Sequence, residues 1–135
     1  MTITKDEIIR YFNSGFKEIK DFRIGIEHEK FLFDNKSNKR IDYLKIKEMF
    51  SALIEFGWNP IIEEDNIIGL NKGGKNITLE PGNQIELSGD KLSNIHEGCA
   101  ESQDYLFELR QVTKKLGLNI VSAGFDPISK LNEIP

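Results

Sequence analysis

Between residues 60 and 88 the chain consists of short segments in which apolar and polar residues alternate, separated by turn-forming residues. Alternation of this kind directs apolar side chains to one face of a strand and polar side chains to the other. The pattern predicts four short strands, over residues 60–62, 66–70, 76–80 and 84–88. Gly73-Gly74 and Pro81-Gly82-Asn83 lie between strands and favour tight turns. Strands joined by such short connections run antiparallel, so this region constrains the chain to an antiparallel sheet.

Helical spacing of apolar residues predicts three helices. Thr4-Lys5-Asp6-Glu7 has the pattern of a capping box, so a first helix is predicted to begin there and to end near Gly15. Asp42 is placed to cap a second helix that ends at Gly57. A third helix is predicted over residues 92–116.

Each long helix is expected to turn an apolar stripe toward the sheet. For the second helix the stripe consists of Leu44, Ile46, Met49, Phe50, Leu53 and Ile54. For the third helix it consists of Ile95, Cys99, Leu106, Leu109 and Val112, which makes Cys99 a small buried hydrophobe.

Two more strands are predicted, at residues 22–34 and 119–125, and the chain is then expected to trail off without another element. The order of elements predicts an α+β fold, a mainly antiparallel sheet with helices on one face.

Composition excludes several classes of function. The 135 residues carry 22 acids against 18 bases, a net charge of −4, with no block of Lys and Arg. Nucleic acid is therefore not an expected partner. The longest apolar stretches are four or five residues, which is too short to span a bilayer. A single cysteine and an acidic N-terminus lead to the expectation of a cytoplasmic protein.

Glutamates recur at alternate positions of the predicted strands. Glu27 and Glu29 are two residues apart, so both side chains point to one side of the strand, roughly 7 Å apart. Glu80 and Glu86 share the polar face of the hairpin with Gln84. If this hairpin pairs near the first strand, four carboxylates gather on one face of the sheet.

Clustered carboxylates repel one another unless their pKa values rise or a cation neutralises them. Mg²⁺ fits such a cluster, because it binds a few carboxylates and shares its other positions with water and phosphate oxygens. Glutamates on the solvent face of an antiparallel strand are also ordinary. Spacing alone therefore leaves both a metal site and a plain polar face open.

The other candidate polar residues point less clearly to a functional site. His28 faces away from the two neighbouring glutamates and is interpreted as structural, and His96 as structural or exposed. Cys99 has no identifiable base for a nucleophilic role. Lys72-Gly73-Gly74-Lys75 lacks the glycine spacing and the Ser/Thr of a phosphate-binding loop and is interpreted as a turn.

Two longer motifs carry a family resemblance. Arg23-Ile24-Gly25-Ile26-Glu27-His28-Glu29-Lys30-Phe31 resembles the opening strand of the plant and proteobacterial type of glutamate–cysteine ligase. Leu79-Glu80-Pro81-Gly82-Asn83-Gln84-Ile85-Glu86-Leu87-Ser88-Gly89 resembles the second signature of that family. His96, Cys99-Ala100-Glu101 and Gly124-Phe125-Asp126-Pro127 match further family segments in the same order. Asn83 replaces a usual Gly, Ile26 a usual Thr and Asp90 a usual Ala, and none of these changes removes a carboxylate.

The resemblance implies an ATP-dependent ligase with a glutamine-synthetase-like sheet. In such an enzyme ATP phosphorylates the γ-carboxyl of L-glutamate, and the amine of L-cysteine then attacks to give γ-glutamylcysteine, the first step of glutathione biosynthesis. The family's Mg²⁺-binding glutamates correspond to Glu27, Glu29, Glu80 and Glu86, and Gln84 is a candidate for contacting substrate.

The resemblance covers only the N-terminal portion of the family's enzymes, and this changes what is expected of the isolated chain. Residues 1–135 resemble the N-terminal portion of a single catalytic domain, so the remainder of the ligase chain is an expected partner and the isolated chain is expected to be inactive. Two alternatives stay open: another ATP-dependent carboxylate–amine ligase, and a non-catalytic Mg²⁺-binding module.

Overall fold

A computed structural model describes residues 3–134 of the chain. Its centre is a six-stranded sheet in the order β2-β3-β4-β5-β1-β6, and every neighbouring pair of strands is antiparallel. The strands are β1 Glu27–Asp34, β2 Asn59–Glu63, β3 Asn66–Lys72, β4 Lys75–Glu80, β5 Gln84–Ser88 and β6 Leu118–Val121. The helices are α1 Lys5–Ser14, α2 Tyr43–Ile54 and α3 Ile95–Leu116, with short 3₁₀ turns at Ile19–Asp21 and Leu131–Glu133. The predicted α+β class is confirmed.

Side-chain caps determine where the helices begin. The Thr4 hydroxyl accepts from the Glu7 amide at 3.3 Å and the Glu7 carboxylate accepts from the Thr4 amide at 2.8 Å, which is the predicted capping box. The Asp42 carboxylate accepts from the Lys45 amide at 2.9 Å and starts α2. The side chain of Asn94 accepts from two backbone amides and starts α3.

The predicted start of α3 at residue 92 is therefore wrong by three residues. Leu92 exchanges two backbone hydrogen bonds with Ile24, each 2.8 Å long, and this bridge holds residue 92 in an extended conformation. Residues 22–26 otherwise form one backbone hydrogen bond beside the sheet, from the Gly89 amide to the Ile26 carbonyl at 2.8 Å, so β1 begins at Glu27 rather than at residue 22.

The core lies between the helices α2 and α3 and one face of the sheet. Ile46, Met49, Phe50 and Leu53 of α2 are fully buried there, together with Leu70, Ile77, Ile85 and Leu87 of the sheet. Leu44, predicted to be part of the α2 stripe, is instead exposed because it lies on the outer side of the first turn.

The buried face of α3 differs from the predicted one. Its buried residues are Gly98, Glu101, Tyr105, Leu109, Val112 and Thr113. Leu109 and Val112 were predicted correctly, whereas Ile95 and Cys99 are exposed and Leu106 is half-buried. The prediction that Cys99 is buried is wrong. The inward face of α3 includes the polar residues Glu101 and Thr113, and a search for regularly spaced apolar residues does not identify such positions.

The segment after β6 is more ordered than predicted. β6 ends at Val121, and Asp126 then forms a buried ion pair with Arg40. The Asp126 carboxylate also accepts from the amides of Ile128 and Ser129 at 2.8 and 2.9 Å. A polar side chain, rather than an apolar stripe, fixes this tail to the body of the fold.

At the other end, residues 3–25 are exposed throughout, and α1 buries no residue. Within the described part of the chain, no helix combines the length and the apolarity that a membrane crossing requires.

Candidate functional site

Strand pairing brings the four predicted carboxylates together on the face of the sheet that the helices leave open. Glu29 of β1 lies opposite Glu86 of β5, and Glu27 lies opposite Ser88. Glu86 in turn lies opposite Thr78 of β4, and Glu80 lies opposite Gln84. We call Glu27, Glu29, Glu80 and Glu86 the acidic face.

The turn between β4 and β5 sets the positions of Glu80 and Gln84. Gly82 and Asn83 both have left-handed backbone conformations, with φ of 78° and 61°. Asparagine tolerates this region better than other residues with a side chain. The side-chain nitrogen of Asn83 also donates to the Ile41 carbonyl at 3.3 Å, and this hydrogen bond anchors the turn to the segment before α2.

Electrostatic repulsion within the acidic face is concentrated on Glu80. A hydrogen bond with Glu86 and the negative charges of Glu86, Glu29 and Glu27 raise the pKa of Glu80 above its ordinary value. Among residues 3–134, none of the four carboxylates forms an ion pair with a basic side chain. The acidic face therefore carries negative charge that no side chain of the described structure neutralises.

The four carboxylates do not form a closed metal cage. Over the described residues, no three His, Cys, Asp or Glu side chains converge closely enough to hold a metal ion by themselves. Glu86 is buried and accepts from the Ser88 hydroxyl at 2.8 Å, whereas Glu27 and Glu29 are exposed. An open acidic surface of this kind fits a hard cation that takes its remaining oxygen ligands from water or phosphate.

Behind the acidic face, polar side chains connect β1 to α3. The Ser102 hydroxyl donates to the Gly98 carbonyl at 2.8 Å, so His28 Nε2, also 2.8 Å from that hydroxyl, is the donor to it. Burial lowers the pKa of His28, and the positive charge of Lys30 lowers it further. His28 therefore has a neutral, structural role on the side of the sheet away from the glutamates.

Glu101 is a structural residue to which the sequence analysis gave no role. Its buried carboxylate accepts from the Asp90 amide at 3.0 Å, just after the end of β5. Glu101 thus fixes the chain beside Ser88, which pairs with Glu27. In the sequence, Glu101 lies four residues before Tyr105, the spacing of two residues on one face of a helix, and this spacing is the signal that indicates an inward position for Glu101.

Other candidate residues lie away from the acidic face. His96 and Cys99 are exposed on α3. Lys72-Gly73-Gly74-Lys75 forms the turn between β3 and β4, as predicted. Shallow grooves of about 480 and 600 Å³ run beside α2 and α3, and neither includes a residue of the acidic face among its lining residues.

Fold and site together define an α+β protein whose antiparallel sheet is covered by helices on one face and presents carboxylates on the other. Comparison with known proteins identifies the family. The model of Glutamate-cysteine ligase family 2 matches residues 23–134. The chain belongs to this family, and the expected glutamine-synthetase-like sheet is consistent with that membership.

Plant enzymes align with almost the entire chain. Glutamate–cysteine ligase A of Oryza sativa subsp. japonica, named as chloroplastic, is 40% identical over 134 residues, which are 98% of this chain and 27% of the rice protein. The Nicotiana tabacum ligase is 40% identical and the Arabidopsis thaliana ligase 38% identical over the same length. The chain spans about a quarter of the length of these curated relatives.

The names of the relatives also correct the expected location. The plant enzymes that align with this chain are named as chloroplastic ligases. The prediction of a cytoplasmic protein, based on one cysteine and an acidic N-terminus, is contradicted by this finding. Cysteine count distinguishes reducing from oxidising compartments, and it does not distinguish one reducing compartment from another.

Proposed function

We propose that this chain supplies part of the Mg²⁺, ATP and glutamate site of a glutamate–cysteine ligase. The observation that carries the proposal is the acidic face, where three carboxylates raise the pKa of the fourth, Glu80, and none of the four has a basic partner among the described residues. Family membership and 40% identity to the rice ligase support the choice of this reaction over other cation-dependent reactions.

Glu27, Glu29, Glu80 and Glu86 are the residues that would hold Mg²⁺. When bound, the ion offsets negative charge on the phosphates of ATP and on the phosphoryl group in transfer. The carboxylates come from three neighbouring strands of one sheet, so their spacing is set by rigid backbone. We propose that a rigid acidic surface positions the cation and the phosphates it binds.

Gln84 is proposed to contact substrate. It lies directly across the hairpin from Glu80 and is half-buried. Its side-chain amide both donates and accepts hydrogen bonds, and it adds no charge beside the carboxylates. A polar group of an amino-acid substrate or a phosphate oxygen could use this amide without competing with the acidic face for a cation.

In the proposed reaction the γ-carboxylate oxygen of L-glutamate attacks the γ-phosphorus of ATP, and the bond to the β,γ-bridging oxygen breaks to release ADP. The amine of L-cysteine then attacks the acyl carbon, loses a proton and displaces phosphate. The product is γ-glutamylcysteine. Both steps would place negative charge near the acidic face, and a cation held there would offset that charge.

Mg²⁺ binding by the 135-residue chain tests the proposed ligands. We would follow thermal unfolding as MgCl₂ is added to the unchanged chain, to the double variant Glu27→Gln/Glu29→Gln, and to a control double variant, Glu63→Gln/Glu64→Gln, at the exposed turn between β2 and β3. The unchanged chain and the control should gain thermal stability with Mg²⁺, and the acidic-face variant should not.

An equal response of all three proteins to Mg²⁺ would refute the ligand role of Glu27 and Glu29. The same acidic-face double variant in a complete ligase should abolish Mg²⁺-dependent activity while the protein stays folded by circular dichroism.

A further inference from the structure

Arg40 lies on the side of the sheet that carries the acidic face. Its guanidinium is 5.7 Å from the centre of the Phe31 ring. Phe31 is two residues beyond Glu29 on β1, and side chains two residues apart on a strand point to the same side. The backbone of Arg40 also forms a bridge with Phe33, so Arg40 is attached to β1, the strand that contributes two glutamates to the acidic face.

The pairing between β1 and β5 ends before it reaches the turn between β4 and β5. Its last pair is Lys30 with Ile85, and the following residues of β1 pair with β6 instead. Glu80 and Gln84 lie beyond that last pair, at the turn end of the β4–β5 hairpin. The position of the turn relative to β1 therefore depends on contacts other than strand pairing.

Arg40 and the residue after it supply such contacts. The Arg40 guanidinium packs against Gly82 in the turn, so closely that a Cβ at residue 82 would overlap its Nη1 atom. The Ile41 carbonyl accepts from the side chain of Asn83 at 3.3 Å. Both contacts join the segment attached to β1 to the turn between β4 and β5.

Asp126 holds the Arg40 guanidinium in this position. The two side chains form an ion pair and are 6% and 11% exposed, respectively. The Asp126 carboxylate is itself fixed, because the amides of Ile128 and Ser129 donate to it at 2.8 and 2.9 Å. Nε and Nη1 of Arg40 are buried without a hydrogen-bond partner among residues 3–134, so within that range Asp126 is the only hydrogen-bond partner of the guanidinium.

The donors of Arg40 are either paired with Asp126 or covered by protein, so Arg40 is placed to position other groups rather than to contact a ligand. Removing one member of a buried ion pair leaves the other charge uncompensated, and the surrounding structure then rearranges or loses stability. A change at Asp126 should therefore reach the turn through Arg40.

We propose that Arg40 is a positioning residue for the ligase reaction. Bound to Asp126, it keeps the β4–β5 turn at a fixed distance from the glutamates of β1, and the turn places Glu80 and Gln84. This inference rests on the proposed function, in which Glu80 holds Mg²⁺ and Gln84 contacts substrate. The Arg40–Asp126 pair has no net charge, so it fixes the turn without opposing a cation at the acidic face.

Amide chemical shifts measured by NMR test whether the ion pair holds the turn. Asp126→Asn keeps the shape of the side chain and removes its charge, so it should shift the amide signals of Gly82, Asn83 and Gln84. Arg40→Met should shift the same signals. Asp104→Asn, which removes an exposed acid from α3, should leave them unchanged.

Mg²⁺ affinity tests whether the position of the turn matters for the acidic face. The amide signals of Glu29 and Glu86, followed as MgCl₂ is added, give the Kd. Arg40→Met should weaken Mg²⁺ binding about tenfold, as expected when a group that orients a metal ligand is lost. Removal of a nearby positive charge would by itself strengthen cation binding, so weaker binding identifies a positional effect.

Three control variants separate positioning from a loss of charge or of stability. Arg110→Met, at an exposed arginine of α3, should bind Mg²⁺ like the unchanged chain. Leu109→Ala weakens the core and should keep the same affinity in its folded state. Arg40→Met/Asp126→Asn should bind about as weakly as Arg40→Met alone, because two residues that act as a unit are not additive. Circular dichroism verifies that each variant is folded.

Two results would overturn the proposal: turn amides that keep their chemical shifts in both Arg40→Met and Asp126→Asn, or Mg²⁺ binding by Arg40→Met that is as tight as in the unchanged chain or tighter. A lack of any saturable Mg²⁺ response in the unchanged chain would instead refute the proposed function. The amide signals of the turn would then still decide whether Arg40 and Asp126 hold it in place, so the two failures are distinguishable.

Discussion

At the scale of single residues, Glu80 has the most direct experimental consequence. Its carboxylate lies among three others, and the pKa is raised in the folded chain by the hydrogen bond with Glu86 and by the neighbouring charges. The folded state therefore binds a proton more readily than the unfolded state does. Stability contributed by protonated Glu80 is complete below the unfolded pKa and is lost as pH rises through the folded pKa.

We therefore expect Glu80→Gln to raise the melting temperature at pH 7, where the ionised carboxylate is repelled by its neighbours. Near pH 3.5, where this carboxyl is protonated in both states, the difference between variant and unchanged chain should become small. Thermal unfolding at the two pH values measures this, with Glu63→Gln as a control at an exposed position. Equal stabilisation at both pH values would contradict the charge-repulsion explanation.

At Gly89 there is no room for a side chain, even for the methyl group of alanine. A Cβ added there would lie 2.8 Å from the Ile26 carbonyl oxygen and would also meet the Glu101 carboxylate. Real Cβ atoms do not approach backbone oxygen so closely, so the end of β5 would have to shift. Gly89→Ala should lower the free energy of unfolding by about 2 kcal/mol in urea titrations.

Gly25 provides the matched control for that substitution. A Cβ added at Gly25 has no atom within 4 Å, and the residue precedes β1 in an exposed segment. Gly25→Ala should leave the free energy of unfolding within about 0.5 kcal/mol of the unchanged chain. Equal losses at Gly25 and Gly89 would show that glycine itself, rather than the contact with Ile26, accounts for the effect.

At the scale of elements, α1 and α3 differ in what they bury. Phe12 of α1 is 68% exposed, whereas Leu109 of α3 is fully buried against the sheet. Phe12→Gln should change the free energy of unfolding by less than about 0.5 kcal/mol, while Leu109→Ala should reduce it by about 3 kcal/mol. Urea unfolding of both variants measures the contrast, and a large loss from Phe12→Gln would mean that α1 contacts the body of the fold in solution.

The elements that the sequence predicted correctly are those specified by local signals. Hairpin turns and strand alternation are local signals, so the four-strand region follows from the pattern of residues 60–88, and alternation alone puts Glu27 with Glu29 and Glu80 with Glu86. The pairing of β1 with β5, which joins the two glutamate pairs on one face, was only a condition of the prediction. Helix caps are local as well, and Thr4 and Asp42 begin their helices as predicted. These features depend on contacts between residues close in sequence or on strand parity alone.

Features that depend on distant polar contacts were not predictable in this way. The inward face of α3 contains Glu101, whose partner is the Asp90 amide, so apolar spacing selected Cys99 instead. The ordered tail depends on Asp126 and Arg40, which are 86 residues apart. A buried polar pair leaves no periodic signature in the sequence, and the prediction of an open tail failed for that reason.

At the scale of the whole molecule, the proposed function makes the acidic face one part of a larger site. The acidic face presents carboxylates. Among the described residues, no lysine or arginine forms an ion pair with these carboxylates, so no basic side chain is held beside them to bind a phosphate. The chain corresponds to about a quarter of the length of its plant relatives. Phosphoryl transfer needs positive groups around the phosphates as well as a cation, so under the proposed function we expect those groups to be supplied from outside the acidic face.

The 135-residue chain alone should therefore bind Mg²⁺ and form no γ-glutamylcysteine when supplied with ATP, L-glutamate and L-cysteine. Product formation and phosphate release, measured beside the full-length Oryza sativa ligase as a positive control, test this expectation. Mg²⁺ binding without turnover separates a correctly folded acidic face from a complete catalytic site. Turnover by the isolated chain at a rate near that of the rice enzyme would contradict the assignment of a partial site, because the acidic face and its immediate neighbours would then suffice for phosphoryl transfer.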